Sequence, residues 1–456
     1  MSNPNSDAAA AKAPAPAQAQ QPAEKTPSYA WVCLVVSLLA AVSIVFAWMW
    51  LPGVTFPVFK GWLAQNNPLF QNPANFGLLS NVMGLVPIGA LIMALPTSVI
   101  VRKWGAKVGT LIGMCLAIIG TALSAAFVGT NFYVFLVGRF VLGLGLATTV
   151  VSGPTCISIW FPNSTRGRAM AIWSTWAPIG IFLSNLVNDS VYNAIGQSMV
   201  TLQWIWCALI VVVAIIFAIV FRGPREDERS QVSPERKPLK EVMYLFKNRQ
   251  LWCLIFMFVI FNYMNYAFSQ YLKTWLQIDA SLGGLGWSAG AAGLWGGLIC
   301  ACGVLAPIGG IILDKTPRDK KYLCVVAGII GLTICSALSF NPTFFILYVI
   351  FFCIGNMMLN ACCRPLVPTF VFKGGQTAVA FGLSLLTLGQ YIGQMLTSYV
   401  CTPFSDNLTA AAASGAMVDP MLIFWALVPI GIVGCVLSFG VKPSKKKGDV
   451  KPTEQH

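Results

Sequence analysis

A chain of 456 residues in which 57% are hydrophobic and only 10% charged is too apolar for ordinary soluble domains, where about a quarter of residues carry charge, so lipid must surround much of it. The net charge of +14 does not point to nucleic acid, because the basic residues fall in short bursts between long uncharged runs rather than along one face. The 14 cysteines lie mostly inside apolar runs, as Cys115, Cys253, Cys302 and Cys353 do, and read as packing residues; with no CxxC or Cys/His spacing and a single histidine at His456, no metal site is expected.

Residues 1–29, rich in Ala, Pro, Gln and Asn, cannot bury enough apolar surface to order and are expected as a disordered tail. Crossing about 30 Å of hydrocarbon takes about 20 helical residues, and twelve apolar runs of that size follow. Six fall at 30–51, 75–100, 108–128, 132–160, 169–188 and 200–221. The longest polar break, 222–249, carries mixed charges and reads as a linker. Six more runs fall at 250–272, 288–313, 322–340, 343–370, 376–400 and 421–441, before a basic tail at 442–456. The expected fold is therefore an all-α membrane protein of twelve transmembrane helices, in two pseudo-symmetric six-helix bundles spanning 30–221 and 250–441.

Of the 29 Lys and Arg, 25 lie in the termini or in alternate loops. The positive-inside rule places those segments, and both termini, in the cytoplasm. The opposite loops are read as holding only Lys60 and Lys273. A weak repeat links the halves: Arg102-Lys103 after the second span and Asp314-Lys315 after the eighth, then Arg168-Ala169-Met170-Ala171 and Thr377-Ala378-Val379-Ala380 opening spans five and eleven. Duplicated six-helix halves are common among transporters.

Three segments give the chain a family resemblance outside its tails. Gly309 to Lys315, "GGIILDK", is similar to the Gly/Asp/basic loop motif of the major facilitator superfamily. Its first-half counterpart, Ser98 to Lys107, keeps Gly105 but has Arg102 where the family has an aspartate latch. "GRFVLGLGLA", Gly138 to Ala147, resembles the family's arginine and spaced glycines on the fourth helix. "WFPNSTRGRAMAI", Trp160 to Ile172, with Arg166 and Arg168, resembles the turn before helix five in organic-anion members. The resemblance implies that Asp314, Lys315, Arg102, Gly105, Arg166 and Arg168 take part in gating. It also implies that helices one, four, seven and ten line a central cavity.

A charge deep in a membrane span is costly and usually marks a pathway. Two basic residues are read as lying there, Arg139 in span four and Arg364 in span ten. Arg139 has two readings, a solute ligand or a hub for backbone hydrogen bonds. Arg364 has two as well, a solute ligand or a side chain that snorkels to the cytoplasmic interface. Asn356, Asn360 and Arg364 form one stripe at helical spacing, and a planar guanidinium at its end suits a carboxylate. Span seven adds Asn262, Tyr263, Tyr266 and Gln270, span eleven Gln390 and Gln394, and span five Trp176. Trp48 and Trp50, at the outer end of span one, have two readings, interface-belt or packing aromatics or part of a ligand cage.

No Asp, Glu or His is read inside a span, so exchange, facilitated diffusion or cotransport with a protonated substrate is expected. No catalytic set and no phosphate loop is visible, so neither an enzyme nor an ATP-driven pump is expected. The sequence thus describes a secondary transporter of a small organic anion, with no cofactor and no nucleic-acid partner. It is expected as a monomer in a bacterial cytoplasmic membrane. A drug/proton antiporter, a neutral-solute facilitator and a membrane sensor remain as alternatives.

Overall fold

The computed structural model describes residues 26–161, 163–223, 244–282, 285–338, 342–370, 375–413 and 425–442. Most of the N-terminal tail, most of the linker and nearly all of the C-terminal tail lie outside these residues. No strand occurs among the described residues.

The helices of the first half are α1 (Ser28–Val54), α2 (Phe56–Asn66), α3 (Ser80–Phe127), α4 (Phe132–Trp160), α5 (Asn163–Trp173), α6 (Trp176–Ala194) and α7 (Met199–Val220). Those of the second are α8 (Arg249–Gln277), α9 (Ala289–Ala301), α10 (Ala306–Lys315), α11 (Tyr322–Leu338), α12 (Phe345–Leu366), α13 (Gly375–Ala413) and a last helix, α14 (Leu427–Phe439). Nine helical segments among the described residues are long and apolar enough to cross a membrane. Tyr322–Leu338 and Leu427–Phe439 are shorter apolar helices, and α13 carries the eleventh expected span.

The expected spans are displaced where a local device decides the boundary. Spans two and three run on as α3, broken only at Gly105, which takes φ 84 and ψ 165. That backbone conformation favours glycine, and Gly105 therefore makes the turn without a longer loop. Span five begins as α5 and resumes as α6 after Ser174 and Thr175. Span eight is interrupted by a 3-10 turn at Cys302–Leu305. α2, with two 3-10 turns, fills the loop between spans one and two.

Two cysteines expected only to pack, Cys302 and Cys353, are joined in a disulfide that ties that turn to α12 with Cα atoms 5.2 Å apart. Most of the other described cysteines are buried.

The face at which α1 begins is called proximal here, and the opposite face distal. On the proximal face Tyr29 Oη donates to the Val220 carbonyl at 2.5 Å, and Gln250 Nε2 donates to the Lys442 carbonyl at 2.8 Å. α4 packs closely on α3 because glycines remove the side chains between them; a Cβ at Gly143 would run into the Val86 carbonyl. Across the two halves of the sequence, α6 packs on α9, α13 on α3, and α1 on α8. Large apolar side chains such as Ile92, Val137, Ile219 and Val436 point outward, as a bilayer-facing surface requires.

Candidate functional site

Where α1, α6, α8, α9, α12 and α13 meet they enclose a cavity of about 60 Å³. Its wall contains Trp48, Met49, Trp176, Asn262, Asn265, Tyr266, Ser269, Asn356, Asn360, Arg364, Gln390 and Gln394, with Val45, Ser174, Ala177, Pro178, Ile181, Phe258 and Cys300. Small-molecule pockets usually measure about 300–1,000 Å³. A solute of sugar size enters this site only if the walls move apart.

Among the described residues Arg364 is the only charged side chain in that wall. Its Nη2 donates to Gln390 Oε1 at 2.9 Å, and its guanidinium carbon lies 5.9 Å from the centre of the Phe258 ring. Beside it, amides link α12 to α8: Asn360 Nδ2 donates to Asn356 Oδ1, and Asn356 Nδ2 donates to Asn265 Oδ1 at 2.6 Å. The i, i+4 spacing read from the sequence produces this chain. Asn265, the polar neighbour of Tyr266 in α8, is the residue through which that helix joins the chain.

On the other side Trp48 stands against Tyr266 with ring centroids 5.3 Å apart, and Trp48 is 2% exposed. It is a cavity residue rather than a belt aromatic, because α1 is buried along most of its length. Trp50 packs edge-on against Phe59 at 5.0 Å. Two buried polar atoms of the wall, Trp48 Nε1 and Gln394 Oε1, have no hydrogen-bond partner.

The structure places three expected ligands elsewhere. Tyr263 meets Cys401 Sγ at 3.6 Å and Gln270 Nε2 donates to Ser398 Oγ at 3.4 Å, so both hold α8 to α13. Arg139 does not reach the cavity either. Its Nε donates to Val82 O at 2.9 Å, Nη1 to Ala47 O at 2.9 Å, and Nη2 to Trp48 O at 2.8 Å and to Met83 Sδ at 3.7 Å. The reason lies in the sequence: Pro52 has no N–H for the Trp48 carbonyl four residues earlier, and Arg139 supplies the missing donor. This geometry matches the backbone-hub reading of Arg139.

The expected gating residues are spread over the proximal side. Asp314 and Lys315 are exposed at the end of α10, and Arg168 is exposed on α5. Among the described residues Asp314 has no hydrogen-bond or ion-pair partner. The side chains of Arg102 and Arg166 lie outside the described part. Gly105 is a turn glycine, as above.

Two charges are misplaced by the sequence reading. Lys273 was expected in a distal loop but lies within α8, 2% exposed. Its amine donates to the Gly53 carbonyl and, at 3.4 Å, to the Asn185 carbonyl. Asp189 lies in the second-last turn of α6 instead of beyond the span, and it interacts electrostatically with Lys273. Further out on the distal side, Asp279 is fully exposed, and hydrogen bonds from Ser281 hold its carboxyl below the usual range.

Distal to the cavity the two halves are in contact. Phe56 stacks on Tyr271 at 5.3 Å, and Tyr399 Oη donates to Asn81 Oδ1 at 3.0 Å. The cavity is thus closed toward the distal face.

Comparison with known proteins agrees with this architecture. The family model of the Major Facilitator Superfamily matches residues 53–398. Protein spinster homolog 1 of Xenopus tropicalis is 21% identical over 359 residues, which cover 73% of this chain and 67% of that protein. The probable L-galactonate transporter of Escherichia coli is 25% identical over 338 residues, 68% of each chain. Sugar transport protein MST7 of Oryza sativa is 35% identical over 101 residues, but these make up only 22% of this chain and 19% of the rice protein. Among solved structures, a bacterial homolog to the human lysosomal transporter Spinster, inward-facing and occupied, superposes with a TM-score of 0.64 at 16% identity. The superposition covers 92% of this chain and 98% of that one. A D-xylose-proton symporter gives a TM-score of 0.66 at 16% identity, over 92% and 99%. A membrane-spanning, all-helical chain with a central polar cavity, matched by the family model over most of its length, belongs to the major facilitator superfamily of transporters.

Proposed function

We propose that this protein is a secondary transporter that carries a small organic anion, a carboxylate, by alternating access, with Arg364 as the anion-binding group. One observation carries the reading. Among the described residues Arg364 is the only charged side chain in the cavity wall, and its side chain makes a single hydrogen bond, to Gln390. An uncompensated buried charge is expensive, so the site is complete only with an anion in it. A carboxylate matches the planar N–H fork with both oxygens.

The rest of the wall suits hydroxyl groups. Trp48 Nε1 is an unpartnered donor and Gln394 Oε1 an unpartnered acceptor, and a hydroxyl can satisfy both kinds of atom. A hydroxylated carboxylate of the sugar-acid type would use the guanidinium and these two atoms together. The relative described as a probable L-galactonate transporter agrees with that class. A second reading, a neutral sugar-like solute, uses the same amides without the arginine and agrees with the sugar transport relative.

No carboxylate lines the cavity among the described residues, which supports exchange, facilitated diffusion or cotransport with a protonated substrate. The positive-inside rule supports a cytoplasmic proximal face with both termini inside; a monomer in the plasma membrane is part of the same proposal. The test is flux into proteoliposomes of galactonate, a short unsubstituted monocarboxylate and neutral galactose. Galactonate should be carried best and galactose least. Galactose carried as well as galactonate would overturn the anion reading.

A further inference from the structure

The distal end of α1 is poorly supplied with its own hydrogen bonds. Pro52 leaves the Trp48 carbonyl without a helical donor, and the helix ends at Thr55, a β-branched residue held at φ 86 and ψ 146. Such backbone strain persists only where the surroundings enforce it. Side chains of three other helices support the segment. Arg139 of α4 binds the Trp48 carbonyl, Ser184 of α6 donates to the Met49 carbonyl at 2.7 Å, and Lys273 of α8 donates to the Gly53 carbonyl. The first two belong to the same half of the chain as α1. Lys273 comes from the other half.

The setting of Lys273 is built for an ammonium. It meets the carbonyl end of α1, where a helix dipole favours positive charge. It also meets the Asn185 carbonyl and the field of Asp189 one turn further along α6. Gly293 of α9 makes room, since a Cβ there would stand 2.7 Å from the Asn185 oxygen and 3.6 Å from Lys273 Nζ.

We propose that Lys273 is the latch of the distal gate, holding α8 to the loosened end of α1 and to α6 while the cavity is shut on that side. Both carbonyls it binds lie on the other half of the chain, so its bonds exist only while the halves are together. When the halves part, water replaces those carbonyls and the ammonium stands at the mouth of the opened path. The hydrogen bond between Tyr399 and Asn81 is a second, neutral contact across the same face. The latch goes beyond the anion reading and does not depend on which solute the cavity holds.

The test measures gate opening with no solute present. Spin labels are attached through unnatural amino acids at positions 61 and 290. Both are exposed distal glycines, one in each half, with nothing within 4 Å of an added Cβ. Pulsed EPR of the protein in nanodiscs then reads the separation across the distal face. Wild type should show mainly the short separation. Lys273→Met and Lys273→Gln should raise the ratio of long to short by roughly 10- to 100-fold, the value of a charged hydrogen bond lost from one state only. Lys273→Arg, which keeps charge and donors, should stay within about threefold of wild type. An unchanged distribution in a folded Lys273→Met or Lys273→Gln protein would overturn the proposal. So would failure of both variants to fold while Lys273→Arg folds, because the ammonium would then serve folding rather than gating.

Discussion

Replacing Arg364 separates a ligand-binding arginine from a structural one. Arg364 gives one hydrogen bond to Gln390 and lines the cavity with the rest of its guanidinium. Arg364→Ala removes the charge and the fork, and Arg364→Lys removes only the fork. A hydrogen bond to a charged group is worth about 1.5–3 kcal/mol, so the alanine protein should bind a carboxylate roughly 10- to 150-fold more weakly. The lysine protein should fall between, because a point charge does not reproduce the two-oxygen match. Asn360→Ala, which loses a neutral partner of Asn356, should cost on the order of 1 kcal/mol, about fivefold.

Affinity and melting temperature are measured on the same preparations, with galactonate as titrant. In a cavity that holds one cation and no described carboxylate, the empty site carries an unmatched charge. Arg364→Ala should therefore leave the melting temperature of the ligand-free protein unchanged or raised. Weakened binding with that thermal behaviour identifies a ligand site. Unchanged galactonate affinity in a well-folded Arg364→Ala protein would refute the reasoning and favour the neutral-solute reading.

Other substitutions address the scaffold and the wall. Arg139→Leu should lower stability by about 3–5 kcal/mol, seen as poor yield and early melting, because it leaves the Trp48 carbonyl unpaired and breaks bonds to Ala47 and Val82. Any surviving protein should bind galactonate with near-normal affinity. Trp48→Phe keeps the contact with Tyr266 but deletes the unpartnered Nε1, and should weaken galactonate by about 1 kcal/mol while leaving a short monocarboxylate unaffected. Thr55→Gly removes a strained φ and should raise the melting temperature by the equivalent of about 1 kcal/mol.

Much of the fold is legible because membrane crossing sets a length that apolar runs must meet. Among the described residues nine helical segments meet that length and two shorter apolar helices stand at the ninth and twelfth expected places, and the family resemblance on Gly138 to Ala147 and Gly309 to Lys315 agrees with the family match. Helix ends are less legible where a single side chain decides them. The apolar run of α8 ends in the sequence at residue 272, before a lysine; the helix continues to Gln277 because carbonyls of α1 and α6, more than 80 residues away in sequence, take the charge. The pairing of Cys302 with Cys353 has no local signal, since 51 residues separate them. The polar stripe of α12 was readable from its spacing, and the structure brings it together with Gln390 and Gln394 at the cavity. Arg139 was ambiguous, because Pro52 announces an orphaned carbonyl but not which distant donor meets it. Trp48 was undervalued for a related reason. Only the neighbours of α1 determine that its distal third faces a cavity and not lipid.

Three cations within the helices, Arg139 and Lys273 buried and Arg364 partly so, then divide by where their hydrogen-bonding capacity is met. Arg139 gives three hydrogen bonds to carbonyls of α1 and α3, all within its own half. Those bonds survive any relative motion of the halves, so the residue belongs to the scaffold. Lys273 is met by carbonyls of the opposite half, so the same burial is favourable in one arrangement and absent in the other. That makes it sensitive to state. Among the described residues Arg364 is met by the Gln390 amide and the Phe258 ring, both within its own half, and it lines the cavity, which fits the proposed role as the solute ligand. Depth in the membrane makes each charge costly to keep, but depth does not distinguish the roles. The location of the acceptors does, and it is the ground on which the scaffold, latch and solute-binding roles proposed for the three are told apart.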